Sequence, residues 1–431
     1  LQSLLLLWEA AAAELGSECQ TSTTRDVKTL RERERHEGFS FLTITLPQFC
    51  SDFQKSLDQG FVDSSSFAGF RRRSGLPVFL SGFLSRVFSS DGRLLSDPCI
   101  SSIQAVRQLT LMFGKIELGC TKRREDAALA GYVECERGVR ETERSLTSEC
   151  FDTFDRVSTL LFGELFSRID QKVYDGSVLP RHGPGTTAEG LRGNRKWKQR
   201  EWTQRLEMIF PASEYMFPSR HQWREAQRVD TLEPGRERPV RVVTVPKTLK
   251  APRIIAIEPT CMQYMQQAIL GVIVDELKVD PILYQLIGLD DQTPNQRLAC
   301  QGSSDGSLAT LDLSEASDRV SNQLVRRLLR NHPWFSSAVD ATRSRKADVP
   351  GHGVIRLAKF ASMGSALCFP FEAMVFLTCI FIGIEKGLNR RLTHKLIKEY
   401  VGRVRVYGDD IIVPVDMVAP VVCSLETFGA R

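Results

Sequence analysis

A chain of 431 residues is too long for one small module and suits two to four domains or one large multi-lobed enzyme. With 42% hydrophobic and 25% charged residues, a mainly disordered, collagen-like or coiled-coil protein is excluded. The net charge of +5 permits a polyanionic partner without demanding one, so where the charge sits matters more than its sum.

Eleven cysteines are scattered with no CxxC pair, and the six histidines lack zinc-ligand spacing, which predicts reduced thiols. No uncharged apolar run reaches the roughly 18–20 residues of a membrane span. The longest, Phe376–Ile384, reads as a buried helix. The opening segment has no basic n-region, so no signal peptide is expected, and a start at Leu1 predicts a fragment.

Residues 1–150 alternate helical patterns with charged strings. Arg31-Glu32-Arg33-Glu34-Arg35 fits a solvated helix face, and Arg71-Arg72-Arg73 fits solvated surface better than a phosphate contact. Ser101–Leu118 places Ile103, Val106, Leu109 and Phe113 at helical spacing and predicts a helix packed in the core. From 176 to 196, Gly176, Pro180, Gly183, Pro184, Gly185, Gly190 and Gly193 predict a long loop. Arg192–Arg205 then carries six basic residues, one acid, Trp197 and Trp202. Such interleaving suits a nucleic-acid groove, where rings stack and cations track the backbone. An exposed amphipathic helix that packs its tryptophans is an equal alternative.

Val240–Val245 and Ile254–Ile257 read as strands joined by a hairpin loop at Pro246–Pro252. Residues 236–253 hold six basic residues and one acid, and a rigid hairpin presenting Lys247, Lys250 and Arg253 suits a triphosphate. Pro259-Thr260 predicts the start of a helix running towards Lys278.

The strongest signal is acidic. Leu308–Leu313 reads as a strand with Asp312 at its end, and Asp318 leads into a helical segment with Val320, Leu324, Leu328 and Leu329. Phe360–Glu372 is a small-residue loop feeding a long apolar helix. Arg403–Pro414 reads as strand, tight turn and strand, with Gly408 as the turn-permissive residue before Asp409 and Asp410. Adjacent acids at such a turn repel unless a cation sits there, and a divalent metal is the natural counter-ion. Two metals roughly 3.5–4 Å apart need carboxylates from separate elements, which neighbouring strands supply.

In chain order, Lys247–Arg253, Asp312–Asp318, Ser362-Met363-Gly364 and Tyr407–Asp410 resemble motifs F, A, B and C of viral RNA-directed RNA polymerases. The detail is similar to replicase β-subunits of levivirus-like RNA bacteriophages and their narnavirus-like relatives, a group that Arg181–Gly185 also fits. The resemblance covers about residues 180–415. It implies an α+β, right-hand polymerase architecture with fingers and an antiparallel palm sheet, the thumb largely missing. Residues 1–150 would be a helical region contributing to fingers, 151–305 fingers with the basic hairpin, and 306–431 palm, with a fingers segment inserted near 330–358.

The same resemblance implies roles. Asp312 and Asp409 would be the principal metal ligands, assisted by Asp410, with two Mg²⁺ ions for which Mn²⁺ substitutes. Asp318, with Ser317 sharing the task, would recognise the ribose 2′-hydroxyl. Ser362 and Gly364 would line the nucleotide and template site, and Lys247, Lys250 and Arg253 would hold the triphosphate. Implied partners are RNA template and product, nucleoside triphosphates and host translation factors, in the cytoplasm of a bacterial host. His182–Gly185 is left between a structural role and RNA contact.

Three departures stand out. Five residues separate Asp312 from Asp318, one more than in many polymerases. Ser365 replaces an asparagine common in related phage enzymes. The chain ends 21 residues after Asp410 (431 − 410), which predicts a missing motif D and thumb. Two alternatives stay open: a reverse transcriptase-like enzyme, disfavoured because Ser317 and Asp318 stand where a bulky aromatic gate is usual, and a non-catalytic RNA-binding relic.

Overall fold

The computed structural model describes residues 2–217 and 228–431. The chain forms two compact units, Leu1–Ala128 with Thr244–Arg253, and Leu129–Val243 with Ile254–Arg431.

The first unit is mainly helical: Gln2–Glu18, Thr24–Glu37, Leu46–Gln59 and Ile100–Leu111 are its longer helices outside Lys122–Ser145. Its core is rich in phenylalanine, with Phe41, Phe49, Phe53, Phe83 and Phe88 buried around Trp8. The Trp8 indole N–H donates to Leu109 O at 2.7 Å, so the one polar atom of a buried ring is satisfied. The helix predicted at 101–118 ends earlier, running from Ile100 to Leu111 with Val106 and Leu109 buried and Ile103 half-buried, while Phe113 is buried just beyond its end. Arg31, Glu32 and Arg35 are exposed on the Thr24–Glu37 helix, but Arg33 and Glu34 are half-buried and Arg33 lies over the rings of Phe41 and Phe70, so the charged string is only partly a solvated face.

The second unit has a larger core, shared by the helices Ser148–Tyr174, Thr260–Lys278 and Cys368–Leu388. Thr260–Lys278 begins directly after Pro259, as expected from a residue whose φ is already fixed near the helical value. A mixed sheet runs in the order Arg253–Ile257, Val240–Val245, Lys346–Val349, Gly353–Arg356. A three-stranded antiparallel sheet has Asp410–Pro414 at its centre, between Arg405–Tyr407 and Leu308–Leu311.

The apolar helix corrects the expectation of a short run at Phe376–Ile384. Among the described residues, Cys368–Leu388 is one helix long and apolar enough to cross a membrane, but 89% of its apolar window is buried inside the fold. A helix hydrophobic all round belongs in a core or a bilayer, and here the core covers it. The run as read from sequence begins only at Phe376, whereas the helix starts before Glu372. That residue is buried, and burial, then the nearby Asp409 and Asp318, push its carboxyl up to about 8. A glutamate that is protonated at neutral pH does not interrupt an apolar surface.

Candidate active site

The site is built on the tight turn between Arg405–Tyr407 and Asp410–Pro414. Tyr407 pairs with Asp410, so Gly408 and Asp409 form a two-residue loop. Gly408 has φ +61°, and a Cβ there would lie 2.2 Å from Phe369 Cε2. Both facts require glycine. Phe369 packs edge-on to Tyr407, with ring centroids 5.0 Å apart, and so presses the turn from one side.

The neighbouring strand supplies the second acid. Ile411 pairs with Leu311, which places Asp312, the next residue, across from Asp410 at the end of the sheet. Asp312, Asp409 and Asp410 are all exposed. Their backbone is fixed although their side chains are not enclosed. Gln292 Nε2 donates to Asp410 Oδ2 at 2.6 Å and Asn295 Nδ2 donates to Asp410 O at 3.2 Å. Asn295 is itself held by buried Arg405, whose Nε donates to Asn295 Oδ1 at 2.9 Å and whose Nη1 donates to Gln285 O at 2.7 Å. A cleft of about 240 Å³ opens here, lined by Gln292, Asn295, Thr310, Asp312, Asp410 and Ile412 among others.

Asp318 lies in the short helix Ala316–Arg319, where Lys359 Nζ donates to its Oδ1 at 3.0 Å. Lys359 has no exposed surface. It also lies 3.5 Å from Glu136 Oε1 and 3.4 Å from the centroid of the Tyr132 ring. Burial alone would lower its amine, but Asp318, Tyr132 and Glu136 outweigh that and raise it above the ordinary lysine range. Tyr132 extends the network, its hydroxyl lying 2.9 Å from Ser362 Oγ. Ser317 lies beside the buried Cys368 thiol.

The loop at Ser362–Gly364 is pinned to the strand Arg253–Ile257, where Ala256 N donates to Met363 O at 2.8 Å. At Gly364, φ is +130° and a Cβ would fall 2.1 Å from Ala256 O, so only glycine lets the two backbones meet. Lys247, Lys250 and Arg253 are exposed on or beside the loop between the two strands, in the stretch that packs with the first unit. Arg124 Nη1 holds that loop by donating to Leu249 O at 2.8 Å.

Sequence reasoning missed the supporting residues. Lys359, Glu136, Tyr132, Glu372, Arg405, Asn295 and Gln292 carry no local motif. Only a charged residue inside an apolar context, such as Glu372, gave a signal. The basic stretch Arg192–Arg205 is divided by the structure: Trp202 is fully buried, Lys196 is buried, and Arg205 pairs with Glu237 at 2.7 Å, so those three belong to packing.

The donor chemistry fits a divalent cation of the Mg²⁺ type: three hard carboxylates, exposed, on two adjacent strands and the turn between two of the strands. Among the described residues, no three His, Cys, Asp or Glu side chains stand close enough to hold an ion as they are. A cation would have to draw the acids together.

The family described as RNA replicase, beta-chain matches residues 199–431. Over 190 residues the chain is 39% identical to the RNA-directed RNA polymerase beta chain of Enterobacteria phage fr, covering 44% of this chain and 31% of that one. It is 30% identical over 320 residues to the RNA-directed RNA polymerase subunit beta of Enterobacteria phage SP, covering 71% and 51%. The beta chain of Escherichia phage MS2 is 38% identical over 190 residues, covering 44% and 31%. The matched part is therefore between about a third and a half of each relative's length.

Proposed function

The chain belongs to the RNA replicase beta-chain family, and from that premise we propose that it carries the nucleotidyl-transfer site of an RNA-directed RNA polymerase. The observation that carries this reading is the antiparallel register that sets Asp312 across from Asp410, with Asp409 in the adjoining turn. Asp312 and Asp409 would hold Mg²⁺, with Asp410 assisting. When bound, the metal would lower the pKa of the attacking 3′-hydroxyl and offset charge on the leaving pyrophosphate.

The remaining work falls to the chain. Gln292 and Asn295 orient Asp410 and so set the turn that presents Asp409. Lys359 orients Asp318 as an acceptor for the ribose 2′-hydroxyl of an incoming nucleotide. Tyr132 steadies Ser362 beside the close backbone approach at Gly364. The exposed cations Lys247, Lys250 and Arg253 would offset triphosphate charge, a role that rests on the motif they form. The relatives are bacteriophage proteins, so the reaction is assigned to the cytoplasm of a bacterial host.

The test is nucleotide incorporation on a primed RNA template with Mg²⁺ or Mn²⁺, beside an Asp409→Asn variant. Incorporation by the parent chain that is lost in the variant is the expected result. Equal incorporation by both would overturn the assignment. A non-catalytic RNA-binding role is the second reading, favoured by the separation of the acids. RNA binding that is indifferent to Asp312→Ala, with no incorporation under either metal, would select it.

A further inference from the structure

The loop at 181–185 and the basic segment after it take no part in the carboxylate site. Lys196, in the 3₁₀ turn Gly193–Lys198, is only 1% exposed. Its Nζ donates to Gly183 O at 2.6 Å and Gln263 Oε1 at 2.9 Å, and among the described residues no carboxylate pairs with it. Burial pushes its amine down. An ammonium buried without a counter-charge is costly, so this lysine must be fixing something. It ties the 181–185 loop to the helix Thr260–Lys278.

That tie positions a cluster of rings. His182 lies 4.6 Å from Tyr264 at 34°, and 4.6 Å from Trp197 at 85°, centroid to centroid. Neither ring nitrogen of His182 has a hydrogen-bond partner. Burial, and then the charge of Lys196, lower its pKa to about 4, so the imidazole acts as a neutral ring at pH 7. Trp197 stands on this support yet remains 58% exposed. Arg192, Arg195 and Lys198, on the same short segment, are exposed and have no acidic partner among the described residues. Packing accounts for Trp202, which is in the core, but not for a rigidly backed tryptophan left in solvent among free cations.

We propose that the Trp197 platform binds single-stranded RNA, one base stacking on the exposed indole while Arg192, Arg195 and Lys198 follow the phosphates. An unpaired base offers its face to a ring and a duplex does not. The proposal adds an RNA contact outside the carboxylate site. It rests on the polymerase reading only for the source of the strand.

The experiment titrates the full chain, without nucleotides, into a short fluorescein-labelled oligouridylate and reads anisotropy. Trp197→Ala is expected to weaken binding by about tenfold, the scale of one stacked base, without moving the thermal midpoint. Arg195→Gln should lower the slope of log affinity against log salt by about 0.7. A bromouridine-substituted strand should crosslink to the peptide containing Trp197. Unchanged affinity in Trp197→Ala, with crosslinks elsewhere, would overturn the proposal, and so would equal affinity of the platform for duplex RNA. Failure of the polymerase reading would look different: no incorporation, with these binding effects intact.

Discussion

Lys359 has no exposed surface, yet it carries a charge that Asp318, Glu136 and the Tyr132 ring all meet. Removing one member of such a group leaves the others buried without compensation, which costs more than the group contributed as a whole. Lys359→Met is therefore expected to destabilise the second unit by about 3–5 kcal/mol in a urea unfolding experiment. Lys359→Arg keeps the charge but must fit a planar fork where a point charge sat, and should recover only part of the loss. A change within about 0.5 kcal/mol for the methionine variant would mean the network is not a source of stability. None of this was legible in the sequence. Glu136 precedes Lys359 by 223 positions (359 − 136) and Tyr132 by 227 (359 − 132), and no local pattern links them. The positions of Asp312, Asp409 and Asp410 could be read locally, because Asp312 directly follows the strand Leu308–Leu311, Asp410 opens the strand Asp410–Pro414, and Asp409 sits in the turn before it.

The hairpin carrying Asp409 shows what an element can and cannot disclose. Its strand–turn–strand pattern, and glycine at the turn, are local facts, and the structure places them within two residues of expectation. The ring of Phe369 against Gly408 is not local, because it comes from the start of another element. Gly408→Ala would meet both constraints, a left-handed φ and a Cβ at 2.2 Å from that ring. The expected cost is about 1–3 kcal/mol of stability, with a larger proportional loss of nucleotide incorporation because Asp409 moves with the turn. Adding Phe369→Leu should relieve the clash but not the backbone strain, so stability returns in part. Full recovery in the double variant would show that φ +61° is not a constraint. The segment Arg192–Arg205 failed as a single element for the opposite reason: strand Glu201–Thr203 turns Trp202 inward while the preceding 3₁₀ turn leaves Trp197 outside, a change of direction that composition does not encode.

At the scale of the molecule, each unit has its own core, and the larger one is organised round Cys368–Leu388. Part of that helix is covered by Val418–Thr427, and the fit is close: a Cβ on Gly383 would fall 2.6 Å from Val421 Cα. Ending the chain after Pro414 would keep every acid of the site and remove this cover. That truncated chain is expected to collect in the insoluble fraction, or to bind a hydrophobic dye if soluble, whereas the parent chain does neither. A soluble, dye-silent product would show the cover to be dispensable. The α+β character was implied by the polymerase resemblance, while the local pattern carried only the strand–turn–strand at 403–414. The course of residues 244–253, which form the loop end of the basic hairpin and pack with Leu1–Ala128, could not be read locally, because the packing there depends on residues more than a hundred positions away.

The same cover has a consequence in time. Ribosomes release a chain from its amino end, so the apolar surface of Cys368–Leu388 emerges before the residues that shield it have been made. During that interval the nascent polypeptide displays a segment with the length and greasiness that membrane-insertion machinery and holdase chaperones select. The pace of decoding over the codons for 389–417 therefore becomes a variable in how much correctly assembled protein each message yields.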